Sequence, residues 1–313
     1  MSSPTKTARA LASIVVTIAA CSTSNGTAFC AHLDLVATTQ DVASIARAVG
    51  GERVEVYAIA KGYQDPHYVA AKPSYMVRAN RADLVAYNGL QLEIGWLPLL
   101  LRGARNSQIM PGAKGDVDIS DGIRVLEVPT AEATRAAGDV HPEGNPHYSL
   151  DPRNGAIMAR TFAARLSLLD PDGAIEYRRN LDGFETDLAT RVATWEQRLA
   201  KIRGRSVVCY HQQWEYLLDW LDLKRIGLIE EKPGIPPAPR HLAELVDKMK
   251  QEGAGLVIHS DFVDPKAAQA VARRAGVPVL ELPASVESRD RIKTYFDLFE
   301  HIVAALEKVE WRE

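Results

Sequence analysis

Residues 171–203 read PDGAIEYRRNLDGFETDLATRVATWEQRLAKIR, and their spacing decides the architecture. Tyr177, Leu181, Phe184, Leu188, Val192, Trp195, Leu199 and Ile202 follow one another at intervals of three or four residues. That is the period of an α-helix burying one stripe. Asp170-Pro171-Asp172 suits a helix start, nothing after Gly183 breaks the pattern, and Gly204 ends it. One continuous helix of about 30 residues would be about 45 Å long. A helix of that length is too long for a crossover inside one small lobe. It predicts a rod joining two lobes.

On both sides of this rod the chain alternates between strands and helices. Before it come LDLVATT, QDVASIARAVGG, RVEVYAIA, PSYMVRANRA, DLVAYNG and LEIGWLPLLLRGA. After it come SVVCYH, QQWEYLLDWL, RIGLI, RHLAELVDKMKQEG, AGLVIHSD, PKAAQAVARRAG, VPVLELP and YFDLFEHIVAALEKV. Such alternation implies an α/β fold with a parallel sheet, flanked by helices, in each lobe. The expected divisions are a leader at 1–31, a first lobe at 32–170, the linker helix at 171–203 and a second lobe at 204–313. A length of 313 residues with 46% hydrophobic residues is enough for two lobes with buried cores. The net charge of −3, with no basic stripe, argues against a nucleic-acid partner.

The leader carries Lys6 and Arg9, then an apolar run from Ala10 to Ala20. The run fits the core of an export signal and is short for a membrane span. It ends in Ile18-Ala19-Ala20-Cys21, a box that would make Cys21 the lipidated first residue. The rival is free secretion after Ala28 or Ala31. Either way the protein is expected outside the cytoplasmic membrane, periplasmic or anchored there. Cys30 lies close to the leader and Cys209 in an apolar run, so no disulfide framework is expected.

Ligand sites in parallel α/β sheets form beyond the carboxyl ends of the strands. Three histidines fall there: His67 in YQDPHY, His147 in GNPHYSLDP and His211 at the end of SVVCYH. Neutral imidazoles from separate loops suit a borderline ion such as Zn²⁺. The prolines before His67 and His147 restrict the backbone that presents each ring. A Pro-His pair also fits an exposed histidine on a turn, and spacing alone leaves both readings open. His32, His141, His241, His259 and His301 are weaker candidates; His141 reads as a solvated loop residue. Trp96, Trp214 and Trp220 sit among apolar residues and are expected in the core.

DPHYVAAKPSYMVRANRADLVAYNGLQLEIGWLPLLL resembles the hallmark stretch of the zinc- and manganese-binding solute receptors of bacterial ABC importers. NPHYSLDPRNGAIMARTFAARLSLLDP is similar to that family's second ligand segment, YRRNLDGFETDLATRV to its rigid linker helix, and VVCYHQQWEYLLDWLDL to its third ligand segment. The resemblance runs from Leu33 to Leu306. It implies a metal held between the lobes by His67, His147 and His211, delivery to a membrane ABC permease, a monomer, and no enzymatic activity. Histidine at the third position favours Zn²⁺ over the alternative, Mn²⁺.

The chain departs from the family at the fourth ligand. Relatives place an aspartate after the last strand, where this sequence reads ELPASVES. The candidates left are Asp261, Glu230, Glu231 and His259. Asp65 and Asp151 flank ligand histidines and could orient them, although Asp151-Pro152 also reads as a helix start. The competing functions are a zinc-dependent hydrolase using an open metal position, for which no His-Glu-x-x-His helix is present, and a surface adhesin of the same fold.

Overall fold

Each half of the chain builds one parallel sheet, and the two sheets share a strand order. The computed structural model describes Met1 and residues 32–129, 141–232 and 234–311. In the first half, β1 (Leu33–Ala37), β2 (Val54–Ala58), β3 (Leu84–Tyr87) and β4 (Asp116–Asp118) lie in the order β2-β1-β3-β4. In the second, β5 (Ser206–Cys209), β6 (Lys224–Leu228), β7 (Ala254–Ser260) and β8 (Val279–Leu282) lie in the order β6-β5-β7-β8. Every pairing is parallel. In each sheet the winding reverses beside the first strand, which opens a crevice at the carboxyl ends of β1 and β3, and of β5 and β7.

The covering helices are α1 (Gln40–Gly50), α2 (Pro73–Arg81), α3 (Leu97–Ala104), α4 (Pro152–Leu169), α5 (Ala174–Arg198), α6 (Glu215–Leu221), α7 (Pro239–Glu252), α8 (Lys266–Ala275) and α9 (Tyr295–Glu307). Their starts follow local chemistry. Thr39 caps α1 by accepting from the Val42 amide, and Thr294 with Asp297 forms a reciprocal capping box on α9. The helix expected over LEIGWLPLLLRGA is shorter than its apolar run. Leu90 and Gln91 adopt positive φ (51° and 63°), so the turns through Gly95 precede α3, which starts at Leu97 with Pro98 in its first turn.

The expected rod is present, but shorter than 171–203. α5 has 25 residues, about 38 Å at 1.5 Å per residue, with single 3-10 turns at Pro171–Gly173 and Ala200–Ile202. At the start, Asp170 accepts from the Gly173 amide and is held by Arg53 (2.7 Å) and the Tyr177 hydroxyl (2.7 Å), which winds the first turn tightly. At the other end the Ile202 amide bonds the Leu199 carbonyl (3.0 Å), an i→i−3 closure.

α5 touches both halves. Near its start Asn180 donates to the Val49 carbonyl at the end of α1 (3.0 Å). Near its end Trp195 packs on Phe299 of α9 (5.7 Å between rings) and Trp220 of α6 (6.4 Å), and its indole N–H donates to Glu300 (2.9 Å). Phe184 stacks on Phe296 at 5.0 Å. One continuous apolar core therefore runs from Leu33 and Val42 through Leu181 and Trp195 to Phe299 and Leu306. Residues 31–313 form a single compact unit. The two sheets are thus set on a shared core as well as on a shared helix. Among the described residues no helix is long and apolar enough to cross a membrane.

Candidate metal centre

Each candidate ligand loop is fixed by hydrogen bonds, some from its own sequence and some from neighbouring elements. Asp65, two residues before His67, accepts from both the His67 amide (3.0 Å) and its ring Nδ1 (2.7 Å). The Trp96 indole donates to the Pro66 carbonyl (2.9 Å), pinning the same loop from α3's side. His211 follows β5, and its Nδ1 meets Glu230, which follows the neighbouring strand β6, at 2.8 Å. The sheet itself sets that pair, because the Glu230 amide bonds the Tyr210 carbonyl (2.9 Å). His147 is buried, and its amide donates to the Asn145 side chain (2.9 Å).

Behind His147 lies a buried carboxylate that the sequence reading did not single out. Glu93 accepts from the Thr38 hydroxyl (2.6 Å), the Asn88 amide (2.8 Å) and the Gly89 amide (3.3 Å). Asn88 in turn donates to the Pro146 carbonyl (2.7 Å) and accepts from the Tyr148 hydroxyl (2.6 Å), so both flanks of His147 hang on it. Burial pushes the Glu93 carboxyl up from the ordinary 4.5 to about 7, against the pull of its hydrogen bonds. The folded chain therefore keeps a proton that the unfolded chain has lost, and stability falls as pH rises from about 4.5 to 7. Glu93→Gln removes that loss. Going from pH 4 to pH 8, the variant is expected to gain roughly 3 kcal/mol relative to the parent, read by urea unfolding at the two pH values.

The rings converge. Centroids of His67 and His147 are 5.3 Å apart, His147 and His211 5.7 Å, and His67 and His211 6.0 Å. His141 joins them, 5.1 Å from the His67 ring and 6.4 Å from the His147 ring. The Nε2 atoms of His67 and His141 are 3.0 Å apart, and one ligand atom from each of His67, His141 and His147 lies within 4.8 Å of the others. A carboxylate can only accept, so Asp65 and Glu230 hold the proton on Nδ1 of His67 and His211 and leave Nε2 as the unprotonated nitrogen of each ring. His147 Nε2 is buried with no hydrogen-bond partner. Burial, then the neighbouring imidazoles, depress the His147 pKa far below the usual histidine range. That ring is neutral and its lone pair available. For Asp65, burial works upward, but the hydrogen bonds and charge of His67, with the charge of His211, hold the carboxyl below its ordinary value.

Set against the sequence expectations, the rings of His67, His147 and His211 come together, and the named fourth-ligand candidates have the following surroundings. Glu230 orients His211 through Nδ1. Glu231 is exposed. Asp261 sits beside Arg289 (Oδ2 to Nε 3.4 Å). His259 is buried in β7 with Nδ1 against the Ser260 carbonyl (3.0 Å). Asp65 takes the orienting position, but Asp151 does not. It caps α4 by accepting from the Arg153 amide (2.9 Å) and pairs with the Arg153 guanidinium (2.6 Å). His141 is the correction in the other direction: read as a solvated loop residue, it belongs to the cluster. Trp96, Trp214 and Trp220 are buried, as is the free thiol of Cys209. Cys21 and Cys30 lie outside the described residues.

Two α/β lobes on a spanning helix, with imidazoles from loops of both meeting in one cluster, make a place where a metal ion could bind. The model of the ZnuA family, "Zinc-uptake complex component A periplasmic", matches residues 35–309, and the chain belongs to that family. It is a metal-binding receptor of an ABC importer, working on the extracytoplasmic side of the membrane, and not an enzyme. The chain is 24% identical over 272 residues to the manganese ABC transporter substrate-binding lipoprotein PsaA of Streptococcus pneumoniae, covering 85% of this chain and 84% of that one. It is 24% identical over 275 residues to the iron ABC transporter substrate-binding lipoprotein MtsA of Streptococcus pyogenes, covering 86% and 85%. The crystal structure of ZnuA superposes with a TM-score of 0.74 at 23% identity, covering 89% of this chain and 99% of that one. A manganese-bound point mutant of a periplasmic metal-binding protein of Candidatus Liberibacter asiaticus gives a TM-score of 0.72 at 19% identity, covering 88% and 98%.

Proposed function

We propose that this receptor captures Zn²⁺ in the inter-lobe cleft, with His67, His147 and His211 as ligands, and hands it to an ABC permease. The observation that carries this reading is the donor chemistry. The rings that converge are imidazoles, while two carboxylates beside them, Asp65 and Glu230, are already turned to Nδ1 of His67 and His211. Nitrogen donors suit Zn²⁺, whereas Mn²⁺ favours oxygen. Relatives are named for manganese and for iron, so the fold does not select the ion, and the donor set is what supports zinc. In this reading residues 32–170 and 204–313 are the two lobes and 171–203 the linker. The shared core limits hinge bending, so capture proceeds by modest loop and lobe movement. Lipidation at Cys21 would tether the receptor beside its permease.

Metal analysis tests the reading. Metal-free protein dialysed against Zn²⁺ is expected to retain about one ion per chain. A 100-fold excess of Mn²⁺ should fail to displace it. No uptake of zinc, or ready displacement by manganese, would overturn the assignment.

A further inference from the structure

His141-Pro142-Glu143-Gly144 is a turn by its chemistry: proline stands second and glycine fourth, and the Gly144 amide returns to the His141 carbonyl at 3.1 Å. Gly144 has φ of 108°, and a Cβ there would run into the Val125 side chain, so only glycine lets the turn lie against residues 125–126. The turn is pinned on both flanks. Gln91 donates to Glu143 (3.0 Å), and the Asn145 amide bonds the Leu126 carbonyl (2.9 Å). The Asn145 side chain reaches Glu127 (3.1 Å) and the Gln212 carbonyl (3.0 Å), next to His211. His141 is thus delivered to the cluster by a built turn.

We propose that His141 is the fourth metal ligand and makes the site all-imidazole; this rests on the receptor reading above. The distance supports it. Metal–nitrogen bonds of 2.0–2.1 Å in a tetrahedral site put neighbouring nitrogens roughly 3.3 Å apart. The two Nε2 atoms of His67 and His141 stand at 3.0 Å, and three of the four rings offer nitrogens within 4.8 Å of one another. The charge also closes. Four neutral imidazoles leave the ion's two positive charges uncompensated, and Asp65 and Glu230, one step out through Nδ1, supply two negative ones. The ligand class is a borderline divalent ion content with four nitrogens: Zn²⁺ and Co²⁺ fit, and among the described residues Asp65 and Glu230 offer an oxygen-seeking ion such as Mn²⁺ only carboxylates already bonded to Nδ1.

Co²⁺ titration of the metal-free full chain reads the coordination directly, because four-coordinate Co²⁺ absorbs visible light far more strongly than six-coordinate Co²⁺. The parent protein is expected to show the intense four-coordinate bands. His141→Ala should lose much of that intensity as water enters. Its Zn²⁺ affinity should fall by roughly 100-fold, since losing a ligand costs at least as much as losing an orienting partner. His141→Glu, which returns an oxygen to the same turn, should narrow the preference for Zn²⁺ over Mn²⁺. If His141→Ala keeps the parent spectrum and affinity while His67→Ala loses both, the fourth-ligand assignment falls and the receptor reading stands. If the parent chain takes up neither Zn²⁺ nor Co²⁺, the receptor reading itself falls.

Discussion

Replacing His67 and His211 together with alanine is expected to leave the protein folded and unable to retain a metal ion. The two rings come from different lobes, one following β2 and the other β5, and their centroids lie 6.0 Å apart. Both are the rings whose Nδ1 protons are held by carboxylates, so the substitution removes two pre-aimed nitrogens at once. If each costs about 100-fold, the pair costs about 10⁴-fold or more. The fold should survive, because both rings stand on loops outside the apolar core. Thermal unfolding separates loss of binding from loss of structure. Zinc at 100 times its Kd should stabilise the parent by about 2.7 kcal/mol and the double variant not at all, with the metal-free midpoints similar. A double variant that keeps one zinc per chain would sink the site assignment.

The sequence made some of this site visible and hid the rest for physical reasons. Asp65 is legible because it acts two residues away, within one loop. Glu230 is a named candidate ligand, but its contact with Nδ1 of His211 is not legible, since it depends on β6 lying beside β5, a neighbour relation that periodicity does not encode. The turn chemistry of HPEG could be read locally. Where that turn docks depends on Val125, Leu126 and Glu127, the last held at φ of 53°, and on Gln212 from the other lobe. Asp151 satisfied two local patterns, and its carboxylate is taken up by the helix cap, on the Arg153 amide and guanidinium. The rod was read from its buried stripe, but the tightening of its ends by Asp170 and Arg53 involves a partner 117 positions away.

Gly62→Ala and Gly183→Ala, the same change in two places, are expected to move stability in opposite directions. A Cβ on Gly62 would collide with the Val286 carbonyl oxygen, the Ser288 nitrogen and the Glu287 carbonyl carbon, all backbone atoms that no rotamer can clear. These atoms belong to the segment after β8, which is seated on the first lobe by Asp41. That carboxylate accepts from the Val286 amide (2.8 Å), the Ser285 hydroxyl (3.0 Å) and the Ser149 hydroxyl (3.2 Å). Asp41 is buried, and that burial pushes its carboxyl up to about 6 against those bonds. Prying this seat open should cost about 2–3 kcal/mol and lower the Tm of metal-free protein by roughly 3–5 °C. Because Gly62 lies on the loop that presents His67, zinc affinity should fall with it. Gly183, exposed in the middle of α5, has nothing within 4 Å of an added Cβ. There alanine only relieves the entropic cost of glycine in a helix, worth about 0.5–1 kcal/mol, and Tm should rise by roughly 1–2 °C. An unchanged Tm for Gly62→Ala would mean that the segment after β8 is not held against the His67 loop in solution.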